Sequence, residues 1–154
     1  MFDIIELGLE ERILTGASHC VRIDFNKLAE TADTSVALTV GSGVARDIVR
    51  GAWFDLVTPF DGGATSELTV QFGYDLAAGT DDADAFIAAT SVHLDATEIL
   101  ASNGTGTKLA AQEAFDLEVL FTATGANLST LTAGQINLYF DWIKTTKSLR
   151  GING

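Results

Sequence analysis

The chain carries a single cysteine in 154 residues, which rules out an internal disulfide. Cys20 lies in His19-Cys20-Val21-Arg22-Ile23, a strand-like stretch where it reads as a buried structural thiol. Basic residues are also scarce, nine Lys and Arg against 21 Asp and Glu for a net charge of −12. Phosphate contacts need clustered cations, so nucleic acid is not an expected partner. No apolar run approaches the roughly 18–20 residues that span a bilayer, and Met1-Phe2-Asp3-Ile4-Ile5-Glu6 lacks the basic start and apolar centre of a signal peptide. The expectation is a soluble chain made in a cytoplasm, with no membrane partner. Helix signals are sparse, with short stretches at Asp82–Ala89 and Lys108–Ala114 that are too brief for the crossovers of a parallel α/β sheet.

What the chain does have is apolar alternation. Apolar residues make up 47% and charged residues 19%, enough for one domain over 1–154 that buries roughly 68–70% of its unfolded surface. The stretches 1–15 and 144–154 are read as extended arms. Val36, Leu38 and Val40 share one face, as do Phe115, Leu117, Val119 and Phe121, and then Ile136, Leu138, Phe140 and Trp142. That period of two marks half-buried strands. Further strands are expected at Ile4–Leu14, Gly16–Phe25 and Thr90–Ala96, the last with Val92 and Leu94 inward. Ile48–Phe86 reads as a β-hairpin turning on Phe60-Asp61-Gly62-Gly63-Ala64-Thr65, followed by an acidic loop. Its first strand has apolar residues on both faces, with Val49, Trp53 and Val57 opposite Ile48, Ala52, Phe54 and Leu56. Such a strand is either central and covered or set against a neighbouring subunit. The fold class is all-β: one antiparallel β-sandwich, jelly-roll-like, with about eight strands and one or two short helices. Its core is expected from Trp53 or Phe54 with Leu68, Val70, Phe72, Phe115, Leu117, Val119, Leu138, Phe140 and Trp142.

Few constellations carry chemistry. Asp75, Asp81, Asp82 and Asp84 form the one dense group of hard oxygen ligands, a weak Ca²⁺ candidate because Thr80–Ile87 lacks the Gly and terminal Glu of an EF-hand. The competing reading is a solvated acidic loop. His19 and His93, even with Cys20 or Ser91 nearby, come with no nucleophile motif. Gly41-Ser42-Gly43 lacks the Lys-Ser/Thr of a phosphate loop and reads as a turn. No catalytic residue, cofactor site or metal site is therefore assigned, and the chain is not expected to be an enzyme. Tyr74 and Tyr139 could stack on sugars, whereas Trp53 and Trp142 read as core. Lys144, Lys147 and Arg150 make the C-terminal stretch locally basic, either a solvated tail or a contact for an acidic partner surface.

The segment Ala52-Trp53-Phe54-Asp55-Leu56-Val57-Thr58-Pro59-Phe60-Asp61-Gly62-Gly63-Ala64-Thr65-Ser66-Glu67-Leu68-Thr69-Val70, then Gly73-Tyr74-Asp75 and Asp84-Ala85-Phe86-Ile87-Ala88-Ala89-Thr90, resembles small β-sandwich virion proteins of tailed bacteriophages. A closing strand like Gly134-Gln135-Ile136-Asn137-Leu138-Tyr139-Phe140 extends the resemblance over about residues 45–143. The resemblance implies a non-enzymatic structural protein, foremost a capsid decoration or cement protein on the virion surface. Its partners would be the major capsid protein and copies of itself, as a homotrimer. The alternative is a tail or fibre component that binds host-surface glycan. Residues expected at the partner interface are Met1, Phe2, Ile4, Ile5, Trp53, Val57, Lys144, Lys147 and Arg150.

Overall fold

The computed structural model describes residues 4–94 and 108–145. Nine strands and two short helices follow one another as β1 (Ile4–Glu6), α1 (Leu9–Thr15), β2 (His19–Asp24), α2 (Phe25–Leu28), β3 (Ser35–Gly43), β4 (Ile48–Asp61), β5 (Glu67–Leu76), β6 (Asp82–Ser91), β7 (Lys108–Ala110), β8 (Phe115–Thr124) and β9 (Ala133–Ile143). One sheet has the order β1-β2-β9-β4-β7 and the other β3-β8-β5-β6. The antiparallel pairs β2 with β9, β3 with β8, β4 with β7 and β5 with β6 are nested inside one another. A chain laid out in that way is one long antiparallel hairpin rolled over itself into two facing sheets, which is a jelly roll. The all-β sandwich expected from alternation is the fold observed.

Alternation places the core where expected along β8 and β9. Phe115, Leu117, Val119, Phe121, Ile136, Leu138, Phe140 and Trp142 are all buried, and Phe72 packs its ring against both Phe86 and Phe140 at centroid distances of 5.1 and 5.6 Å. Aromatic pairs at such spacing add roughly 0.5–1.5 kcal/mol each beyond their buried area. Leu128, in a single 3-10 turn at Leu128–Thr130 that links β8 to β9, is fully buried, and its N–H donates to the Asp33 carbonyl at 2.9 Å.

The structure corrects several expectations, and most corrections share one cause. A bulge at Gly51, with φ of 55°, shifts the β4–β9 register between Arg50 and Ala52. One extra residue flips the parity of everything after it. Val49, Ala52, Phe54 and Leu56 therefore all point into the core, while Trp53 and Val57 face outward. The apparent two-faced strand is a one-faced strand with a slip. In the same way β6 carries two register shifts against β5, between Val70 and Phe72 and between Phe72 and Tyr74. These bulges bury Ala85, Phe86 and Ile87 in succession, a run that imitates a helix in sequence. Asp82–Ala89 is strand, and Lys108–Ala114 starts as the edge strand β7 and continues as a loop.

The turn at Phe60–Thr65 also does something other than expected. β4 and β5 lie in different sheets, so the connection is an arch across the sandwich, and the true hairpin is β5–β6. Gly62 and Gly63 make the arch feasible: a Cβ on Gly62 would lie 2.4 Å from the Thr130 carbonyl oxygen, and Gly63 has φ of 57°. Gly41-Ser42-Gly43 is the end of β3 and not a turn, with Gly43 seated against the Phe115 ring. The strand expected over Thr90–Ala96 stops at Ser91; Val92 is buried, Leu94 is exposed, and residues 95–96 lie outside the described residues. Finally, Ile4–Leu14 is not one strand but the three-residue β1 followed by α1.

Candidate functional site

The first turn of α1 is set by local chemistry. Glu11, three residues into the helix, reaches back so that its Oε2 accepts the Gly8 N–H at 2.9 Å, half of a capping box. The helix ends at Gly16, whose φ of 72° permits a left-handed cap and whose N–H donates to the Arg12 carbonyl at 2.8 Å. Between these caps no residue of α1 is buried. Leu9, Ile13 and Leu14 are 75%, 74% and 85% exposed, and Ile5 in the adjoining β1 is also exposed. Helices in proteins are held chiefly by burying an apolar face. This one shows such residues to solvent.

Beneath α1 lies a groove of about 380 Å³ lined by Ile5, Leu7, Glu11, Thr15, Cys20, Arg22, Asn137 and Tyr139. Its floor is the outer face of the β2–β9 part of the sheet, where Cys20 sits opposite Tyr139. The structure corrects the reading of Cys20 as fully buried: it is half-buried and opens on this groove. Partial burial pushes its thiol above the ordinary 9.0, opposed by a hydrogen bond with Tyr139, and burial likewise raises the Tyr139 phenol. A thiol shifted upward is a poor nucleophile at neutral pH. On the same outer face Trp53 stacks flat on Tyr139, with centroids 5.5 Å apart and planes 14° off parallel. Trp53, placed in the core or at a partner surface from sequence, is therefore half-buried on the outside, and Val57 further along the same strand is exposed.

Behind α1 the buried polar groups are structural ties. Ser18 Oγ accepts the Trp142 N–H at 2.8 Å and lies 2.7 Å from His19 Nδ1, while the His19 ring stacks on Phe140 at 5.6 Å. Ser18 is buried and already holds β9, which is not the position of an exposed nucleophile. His93 forms an isolated bridge with Phe60, apart from His19 in the fold. Asp47 is buried and gathers four donors: Trp142 Nε1 at 3.2 Å, the Thr145 N–H at 3.0 Å, Thr145 Oγ1 at 3.1 Å and, weakly, the Val44 N–H at 3.4 Å. Lys144 places its ammonium 3.9 Å from the centre of the Trp142 ring, a cation–π contact. Met1, Phe2, Lys147 and Arg150 lie outside the described residues.

At the far end of the second sheet the acidic residues gather differently from the sequence grouping. Asp75 stands directly opposite Asp116 in the β5–β8 pair, Glu118 is opposite Gly73, and Ser42 Oγ donates to Asp116 Oδ1 at 2.5 Å. A hydrogen bond with Asp81, then the Asp81 charge, raises Asp75 above its ordinary 3.8. Glu118 is raised mainly by burial and then by Asp75 and Asp116. Asp81 also caps the β5–β6 turn, accepting the Leu76 N–H at 3.1 Å. Asp82 and Asp84 belong to β6. Among the described residues no three His, Cys, Asp or Glu side chains are disposed to hold a metal ion.

Compared with known proteins, the chain matches no family model and no curated protein. The molecule is an all-β jelly-roll sandwich in which, among the described residues, the most exposed large apolar side chains are those of α1. Sequence reasoning reached Ile4 and Ile5 but passed over Leu9, Ile13 and Leu14, the residues that form this surface. Leu9 and Ile13 are four apart, a helical spacing, and the Glu three places after Gly8 was the available signal.

Proposed function

We propose that this protein is a non-enzymatic structural component of a tailed-bacteriophage virion, a decoration or cement protein that binds the major capsid protein where capsomers meet. The observation that carries the reading is α1, a capped helix that buries nothing and offers Leu9, Ile13 and Leu14 beside exposed Ile5. Several large apolar residues exposed on one short helix are what an interaction surface presents. The rigid jelly roll supplies a body on which such a surface is held. Stabilisation would come from buried area, about 1,600 Å² per contact repeated over a shell, and so from avidity without turnover. Resemblance to virion β-sandwich proteins and the scarcity of catalytic groups point the same way.

The test is addition of purified protein to expanded capsids that lack it. Wild type should bind and raise the shell melting temperature, and the double variant Leu9→Glu with Ile13→Glu should do neither while keeping its own fold. Absence of wild-type binding at micromolar concentration would sink the proposal. The stacked Trp53–Tyr139 pair on an outer face favours a second reading, a tail or fibre component that recognises glycan through aromatic stacking. Glycan-array binding that disappears in Trp53→Ala, with shell binding absent, would select it.

A further inference from the structure

The two sheets end in four edge strands, β1, β7, β3 and β6. Open edges invite pairing with other chains, and proteins blunt them with charge, proline, bulges or brevity. Three of the four are blunted. β1 and β7 are three residues long and carry Glu6 and Lys108; β6 carries Asp82 and Asp84 and two register shifts. β3 is different: Ser35-Val36-Ala37-Leu38-Thr39-Val40-Gly41-Ser42-Gly43 has no charged residue and no proline, and its one register shift, between Thr39 and Gly41, leaves Ser35–Thr39 regular. Among the described residues it pairs with β8 alone, and no backbone hydrogen bond from another element reaches it.

We infer that β3 is the self-association edge of this protein, joining β3 of a second copy in antiparallel register about a twofold axis. Charge selects a second copy as the occupant. Two chains of net charge −12 repel wherever carboxylates face each other; of the two edges that carry none, β3 and the three-residue β7, β3 is the one long enough to pair. The pattern is also self-complementary. Centred on Ala37, the twofold sets Ala37 against Ala37 of the partner subunit, Ser35 against the partner's Thr39, and Val36 against the partner's Leu38. Ser35, Ala37 and Thr39 are exposed on the outer face, while Val36 and Leu38 are half-buried on the inner face and would be covered. The bulge between Thr39 and Gly41 closes the regular segment at Thr39. The result is a continuous sheet across two copies, an isologous dimer, which departs from the trimer expected from sequence. The inference stands on the edge itself and not on the virion reading.

Sedimentation velocity of the full chain at up to about 100 μM, where micromolar contacts are filled, should show a dimer. Ala37→Lys sets two ammonium groups opposite each other and should raise the dimer Kd by about tenfold or more, whereas Thr90→Lys on β6 should not. Ala37 is exposed and Thr90 half-buried, and circular dichroism checks that both variants are folded. A second measurement fixes the register: Ala37→Cys in a Cys20→Ser background should oxidise to a covalent dimer, because directly opposed antiparallel residues have Cα atoms about 4.5–5.5 Å apart, within disulfide reach. A monomer throughout this range, or an oligomer of any size that Ala37→Lys leaves intact, overturns the inference.

Discussion

Replacing Asp47 should loosen the closing strand and the start of the carboxyl-terminal stretch together. Asp47 is 3% exposed; one carboxylate oxygen takes Trp142 Nε1 and the weak Val44 contact, and the other takes both Thr145 donors. Asp47→Ala strands the buried indole N–H and the Thr145 amide. Each orphaned donor costs about 1–3 kcal/mol, so a loss near 3 kcal/mol is expected. At this chain length 1 kcal/mol moves the melting temperature by about 2–4 °C, which puts the shift at about 6–12 °C. Asp47→Asn should cost roughly half as much, because one oxygen still serves Thr145 while the new amide turns a donor on the Trp142 indole. Urea unfolding followed by tryptophan fluorescence measures both, with a lowered midpoint and an unchanged slope. If Asp47→Ala loses less than about 1 kcal/mol, the carboxylate is not what secures these donors and the argument fails.

Gly134→Ala would set a Cβ 2.1 Å from the ring of fully buried Phe60 at a residue with φ of 136°; crowding and backbone strain together should cost about 3 kcal/mol or more, visible as a collapsed urea midpoint. Asp75→Asn should stabilise the protein at neutral pH, since it removes a carboxylate that faces Asp116 across the β5–β8 pair and is hydrogen-bonded to Asp81. The pH dependence follows from the upward shifts of Asp75 and Glu118. Protons held more tightly by the folded state make this site's contribution fall as pH rises from the ordinary 3.8 and 4.5 through the raised values. Urea midpoints from pH 4 upward should show a smaller decline in Asp75→Asn than in wild type; parallel curves would refute it.

Much of the fold was legible because burial on one face prints a period of two. β8 and β9 follow it without interruption, and their core residues were readable one by one. Where the chain slips a residue the print is scrambled: Gly51 reverses the parity of β4, and two bulges make β6 look helical. Strand partners were not legible at all, because apolar alternation says which way a side chain points and not which strand lies beside it. That is why a glycine-rich arch between sheets passed for a hairpin. The exposed surface was harder still. Leu9, Ile13 and Leu14 follow β1 among Glu10, Glu11 and Arg12, and in sequence nothing distinguishes apolar residues kept for a partner from those kept for the core. The acidic site was half visible: Asp75 and Asp81 were close in sequence, but Asp116 and Glu118 join them only through β-pairing.

The nested order of the strands bears on how the protein comes to be made. β5 and β6, nearest in sequence, form a pair as soon as both have left the ribosome, and β8 can then complete most of the second sheet. The first sheet has no such early start, since β9 lies between β2 and β4 and both wait for it. His19 finds Phe140 and Trp53 finds Tyr139 only after β9 itself has been synthesised. Contacts so distant in sequence close slowly. One sheet therefore stands with its apolar face open until β9 has emerged, and this interval is when aggregation competes most strongly with folding.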